Sequence, residues 1–172
     1  MAVYTRLAKS EDLPAIMKII AQAKELLKQD GSPQWQDGQP NAEMFTEDIR
    51  LKRAYVLVVD EQVAGVATLM TTPEPSYQEI QGAWNNAVAP YATIHRIAIS
   101  AIYRGRNLAA IFISTLLSRG YELGLRNFRI DTHALNKRMQ SVIRKAGYSY
   151  RGIIYVNPTK DGARYAYELN LE

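Results

Sequence analysis

Apolar positions recur along the chain at two spacings, and the switches between them mark out the elements. From Leu13 to Gln29 the apolar residues Leu13, Ile16, Met17, Ile20, Ala23, Leu26 and Leu27 return at intervals of three and four, which predicts a helix with one apolar face. Asp30-Gly31 stops it, and Ser10-Glu11-Asp12 ahead of it offers a cap and an acidic first turn. Val3 to Lys9 alternates instead and reads as an edge strand. Glu43 to Arg53 predicts a short amphipathic helix through Phe45, Ile49 and Leu51. It leads into Tyr55 to Asp60, a continuous apolar run expected to be a strand buried on both faces. A tight turn at Glu61-Gln62 then sends Val63 to Met70 back antiparallel.

The second half alternates strand and helix. Thr93 to Ser100 reads as a strand, and Leu108 to Leu123 as a helix with Leu108, Ile111, Phe112, Leu116 and Leu117 inward and Gly124 at its end. Phe128 to Thr132 is the next strand. Asn136 to Ala146 is a helix through Met139, Val142 and Ile143, closed by Gly147. Tyr148 to Val156 and Ala163 to Leu171 form a hairpin around Asn157 to Gly162. Two segments have no period: Asp30 to Asn41, rich in Gly, Pro, Asp and Asn around Trp35, and Pro73 to Ala92, which holds Tyr77, Trp84 and Tyr91 and exceeds ordinary loop length. The order β-α-α-β-β-β-α-β-α-β-β belongs to the α/β class, with a mixed sheet covered by helices.

Composition narrows this little, apart from its charge. At 172 residues the chain suits one core, so a single domain over 1–172 is expected, and no apolar run reaches the roughly 18 residues that cross a bilayer. With no cysteine there is no disulfide framework or thiolate metal site, and no metal-ligand spacing occurs. The opening MAVYTRLAK lacks the apolar stretch of a signal peptide, so a cytoplasmic location is the default expectation. The net charge of +4 is unevenly spread: residues 1–100 carry 9 basic and 12 acidic side chains, residues 101–172 carry 12 and 5. Such a split points to an anionic partner, whether nucleic acid, an acidic surface or a phosphorylated cofactor.

The basic charge gathers where a strand hands over to a helix, in Tyr103-Arg104-Gly105-Arg106-Asn107-Leu108-Ala109. A helix N-terminus leaves about four amides unpaired and carries roughly half a positive charge. Gly105 can turn freely, Asn107 can adopt unusual dihedrals or cap, and the two arginines add full charges, which together suit a pyrophosphate. Neither the P-loop nor the dinucleotide glycine pattern is present. The segment resembles the pyrophosphate-binding motif Gln/Arg-x-x-Gly-x-Gly/Ala of the GCN5-related N-acetyltransferase (GNAT) superfamily, with Arg104 first, Ala109 last and Asn107 in place of the central glycine. The element order matches that family's fold, and Asn136 through Gly147-Tyr148 is similar to its Asn-x-x-Ala…Gly-Phe segment. The implied fold is the GNAT acyl-CoA N-acyltransferase fold, a mixed and mostly antiparallel sheet with a central, splayed parallel strand pair.

The resemblance further implies an acetyl-CoA cofactor. Ile97, Ala98 and Ile99 would bond its pantetheine arm and thioester, the amides of Arg104, Gly105, Arg106, Asn107, Leu108 and Ala109 its pyrophosphate, and Asn136 the arm from the next helix. It implies transfer of the acetyl group to a primary amine by direct attack in a ternary complex. The expected partner is a small-molecule or peptide amine rather than nucleic acid or membrane, with a homodimer left open. Acyl transfer to an amine needs a neutral nucleophile, so a base is useful. By strand alternation His95 shares the face of Ile97, where it is either that base or a packed core histidine. His133, ending the next strand, suits a structural hydrogen bond. The family's tyrosine acid, seven residues after the helix-opening asparagine, is here Ile143. Tyr148 suits the core, which leaves Tyr91, Tyr155 or water to protonate the thiolate. Trp35, Glu79 and Trp84, with Glu43 and Glu47, are candidates for the acceptor pocket, the alternative being that the aromatics anchor their loops. Two rival readings stay open: an acyl-CoA-binding module without turnover, and a nucleic-acid-binding domain.

Overall fold

The computed structural model describes residues 1–172. In chain order its elements are β1 (Val3–Leu7), α1 (Leu13–Gln29), α2 (Ala42–Arg50), β2 (Ala54–Val59), β3 (Gln62–Met70), β4 (Gln81–Gly82), β5 (Tyr91–Ile99), α3 (Leu108–Glu122), β6 (Asn127–Thr132), α4 (Lys137–Lys145), β7 (Ser149–Tyr155) and β8 (Ala163–Asn170). All eight strands form one sheet in the order β1-β2-β3-β5-β6-β8-β7-β4, antiparallel throughout except for β5 beside β6. Helices cover both faces. Ile16 and Ile20 of α1 and Phe45 of α2 pack on Val56, Val58, Val66 and Ala98, while Phe112 and Leu116 of α3 and Ile143 of α4 pack on Leu57, Ile94, Phe128 and Ile130. β2, continuously apolar in sequence, is accordingly buried at every residue. α3 approaches the sheet at Gly120, where any Cβ would collide with the Phe128 ring at 2.4 Å.

Among the boundaries that differ from the sequence pattern, four reshape the chain's path. The β2–β3 turn falls on Asp60 and Glu61, with φ of 45° and 70°, because a two-residue hairpin of this hand needs both central residues left-handed. α2 ends at Arg50, since Lys52 turns left-handed at φ 54°, and this leaves Leu51 exposed. Within the long unpatterned segment, Gln81–Gly82 adds a two-residue strand at the sheet's far edge, and β5 begins at Tyr91. The tip from Trp84 to Asn86 is tied down by the buried Glu168 carboxylate, which accepts from the amides of Asn85 at 2.6 Å and Asn86 at 3.4 Å.

The feature that makes a site is the parting of β5 from β6. Their parallel pairing runs only from Tyr91 opposite Asn127 to Thr93 opposite Arg129. Beyond it β6 continues against β8 and β5 against β3, so the inner edges of the two strands face an opening. On the β3 side, Thr68 pairs with His95 but Val66 with Ala98, placing Arg96 and Ile97 opposite the single residue Ala67. This is a β-bulge, and Arg96 takes φ 53° to make it. The bulge reverses the side-chain alternation: Ile94 and Ile97, three apart, both join the α3-side core, and Ala98 joins the α1 side. His95 therefore points to the opposite face from Ile97, contrary to the expectation from regular alternation. The bulge is held from below by Asp48 of α2, a wholly buried carboxylate that bonds Arg53 Nε at 2.8 Å and Thr68 Oγ1 at 2.7 Å and lies 3.5 Å from Arg96 Nη1.

Candidate active site

A cavity of about 810 Å³ passes through the opening between β5 and β6. Its α3-side half is walled by Ile97, Ile99, Tyr103, Leu108, Asn136, Met139 and Val142. Its other half, on the face covered by α1 and α2, meets Trp35 and Asp37 from the α1–α2 loop, Glu74 and His95 from the β5 side, and Asp131 and Arg164 from the β6 side.

The Arg104 junction takes the geometry its residues allow. After a single turn at Ala101–Tyr103 the chain passes Gly105 at φ 79° and Asn107 at φ 59°, left-handed positions that glycine and asparagine tolerate best. The first backbone bond of α3 is Ile111 N–H to Asn107 O, at 3.4 Å, so the amides from Gly105 to Ala110 have no acceptor within the protein. An N-terminus with free amides, flanked by exposed Arg104 and Arg106, is an anion-binding end. The Arg104 guanidinium is braced by the carbonyl of Gln22, 3.1 Å away, and α1 and α4 are linked across the mouth by the ion pair of Asp30 with Arg138, at 2.7 Å. Asn136 caps α4 by accepting from Met139 N–H, and its Nδ2 donates to Gln34 Oε1.

On the opposite face His95 and Glu74 form a pair, with Nε2 3.2 Å from Oε2. Glu74 is fixed further by Ser76 Oγ at 2.9 Å, and its own N–H donates to the Tyr91 hydroxyl at 2.8 Å. The neighbouring His95, aided by the bond from Ser76, holds the Glu74 carboxyl down to about 2, against desolvation. The carboxylate lies beside Nε2, and Nδ1 has no partner in the protein, a placement that suits a base. Below them Tyr77 donates to Asp131 Oδ2 at 2.6 Å, and burial with the neighbouring Asp131 pushes its hydroxyl well above the ordinary range.

Of the residues singled out in sequence, His95, Ile97, Ala98, Ile99, Arg104, Gly105, Asn107, Leu108, Ala109, Asn136 and Trp35 line this one cavity. Arg106, Glu79 and Trp84 do not. Arg106 lies over the Tyr103 ring at 5.5 Å, and Glu79 is exposed on the loop. Trp84 stacks on the buried Arg129 guanidinium at 4.0 Å and donates to Tyr77 O, so it anchors its loop. Glu43 and Glu47 also stand outside, and the acids on the wall are Asp30, Asp37, Glu74 and Asp131. Tyr91, Tyr155 and Tyr148 are off the wall, Tyr148 being buried in the α3-side core with Ile143; the tyrosine that lines the cavity is Tyr103. His133 is buried, with Nδ1 accepting from Leu135 N–H at 3.1 Å. Nothing in the spacing of the chain marks Glu74, Arg96, Asp48 or Arg164. Their proximity arises from a bulge and from loop packing that a period does not encode.

A splayed parallel pair, a bulged strand and an open helix N-terminus at one cavity describe an acyltransferase of the GNAT type. The sequence model of the Acetyltransferase (GNAT) family matches residues 20–148, and the chain belongs to that family. Among solved structures it is similar to a GNAT-family acetyltransferase from Streptococcus agalactiae, with 36% identity over 99% of this chain and 96% of that one and a TM-score of 0.89. A GNAT-family acetyltransferase from Listeria monocytogenes (22% identity, 98% and 95% covered, TM-score 0.75) and an N-acetyltransferase from Staphylococcus aureus (21%, 100% and 100%, TM-score 0.70) share the fold. No curated protein matches the chain significantly. The protein is an acyltransferase enzyme.

Proposed function

We propose that the protein, acting as one N-acetyltransferase domain, transfers an acetyl group from acetyl-CoA to a primary amine. The observation that carries this is the continuity of the cavity through the sheet, from the free amides of α3 on one face to His95 and Glu74 on the other. Acetyl-CoA supplies the activated acetyl group, which the amine takes by direct attack while both are bound. The residues present fit it: the amides of Gly105 to Ala109, with Arg104 beside them, are free to meet a pyrophosphate. The unpaired inner edge of β5 from Ile97 to Ile99 can bond the peptide-like pantetheine arm, with Asn136 facing it from α4. A fold neighbour, the NatC complex, is described with Gag peptide and CoA bound. Arg106 is left as a source of charge at the mouth.

On the acceptor face His95 takes the proton of the incoming ammonium at Nδ1, and Glu74 stabilises the imidazolium that results. Trp35 covers the acceptor. Ile143, buried in the core where the family carries its tyrosine, favours the rival reading of a binding module without turnover. Following thiol release from acetyl-CoA with a panel of primary amines separates the two. Turnover is expected; CoA binding without turnover for any amine establishes the rival.

A further inference from the structure

We propose that the acceptor is a small zwitterion, an amine carrying its own carboxylate in the manner of an amino acid, and that Arg164 receives that carboxylate; this rests on reading the cavity as an acyl-transfer site. Arg164 is the second residue of β8, on the same face as Ala166, which lies opposite Asp131. It therefore stands beyond the end of β6, on the cavity wall that faces His95 and Glu74. Its Nη1 donates to Asp161 O at 2.6 Å and to Ala163 O at 3.0 Å, which fixes the plane of the guanidinium. Nε and Nη2 make no bond within the protein.

Arg164 is the odd one among the chain's arginines. Every other arginine that is not exposed has a carboxylate within 4.0 Å or, in the case of Arg126, the ring of Tyr121 at 3.5 Å. Arg164 is half-buried and has neither, although burial already disfavours its charge. A planar donor held rigid, partly desolvated and unpaired matches a carboxylate in two-pronged geometry.

The rest of the wall decides against a simple anion. Asp37 and Asp131 act on Arg164 from beyond contact range, and Glu74 stands across the cavity. Together these carboxylates repel a net negative acceptor and draw in an ammonium. Arg164, which has no counter-ion within 4.0 Å, disfavours a polycation, whereas the charge of Arg96 is already met by Asp48. A molecule with one charge of each sign, its ammonium toward His95 and Glu74 and its carboxylate on Arg164, satisfies both sets.

The test measures acetyl-CoA turnover with the protein amino acids, each beside its α-amide and its decarboxylated amine, for the wild type, R164Q and R164K. For the preferred amino acid, kcat/KM is expected to exceed that of its amide by roughly 10- to 100-fold, carried mainly by KM. R164Q should bring acid and amide within about threefold, and R164K should restore part of the preference. The melting transition and CoA affinity report that each variant is folded. Equal rates for acid and amide in the wild type, or a preference that survives R164Q, overturn the inference. Turnover confined to amines without a carboxylate overturns it while the acyl-transfer reading stands; no turnover with any amine removes both.

Discussion

Glu74 and His95 are 21 positions apart in sequence and meet because one lies on a loop and the other beside a bulge. Their pairing has a readable pH signature. The Glu74 carboxyl falls from an ordinary 4.5 in the unfolded chain to about 2 in the folded protein. A depressed carboxyl stabilises the fold fully above the unfolded value and loses that contribution as pH falls through the folded one. The difference in melting temperature between wild type and E74Q should thus shrink as the pH falls from about 4.5 to 2. A difference that persists unchanged to pH 2 contradicts the pairing. For the chemistry, H95Q is expected to lower kcat by roughly 10²- to 10⁴-fold, most strongly below the amine's pKa, with CoA affinity retained. A rate profile unaltered across pH makes His95 a packing residue. Asn107 offers a third residue-scale check: at φ 59° an alanine costs about 1 kcal/mol or more in denaturant unfolding, whereas N107G is near neutral.

At the scale of elements, periodicity marked the helices and strands because each has one or two buried faces whose spacing survives in the chain. The bulge at Arg96 left no such trace, since it is a mismatch between β5 and β3 and reads as an ordinary strand in either one alone. Asp48 was hidden for a related reason: a carboxylate in an amphipathic helix suggests the solvent side, and only the fold turns it under the sheet toward Arg53, Thr68 and Arg96. The consequence is that α2 helps to hold the shape of the cavity wall. D48A leaves two arginines facing a void in place of their counter-ion and is expected to destabilise the protein by roughly 3–5 kcal/mol in urea. R96G removes the guanidinium while suiting the left-handed backbone and should cost far less. Similar losses for the two would mean that the ion pairs, and not the bulge, dominate this element.

Across the whole molecule, the unequal charge of the two halves becomes spatial. α3 and α4 both belong to the basic half, and the turn into α3 and the start of α4 bring exposed Arg104 and Arg138 to the α3-side mouth of the cavity, with exposed Arg106 over the ring of Tyr103 beside it. Of the first half's carboxylates on the wall, Asp30 pairs with Arg138 at that mouth, while Asp37 and Glu74 line the other end. The molecule therefore presents a positive entrance for a polyanion on one face and a mixed-sign pocket on the other, a division the sequence carried as net charge but not as position. Exposed charges attract a polyanion over about 8–10 Å at physiological ionic strength and are screened by added salt. CoA affinity should accordingly fall as salt rises. R104E should weaken it by tenfold or more at low salt and flatten the salt dependence, because a cation next to the pyrophosphate becomes an anion. R104Q separates charge from bracing: it loses the contact with Gln22 O as R104E does, but adds no repulsion, so its affinity should lie between the two. If R104E binds CoA as tightly as the wild type, the α3 N-terminus is not the pyrophosphate site. If an oligonucleotide competes with CoA with a steeper salt slope, the basic face serves nucleic acid instead.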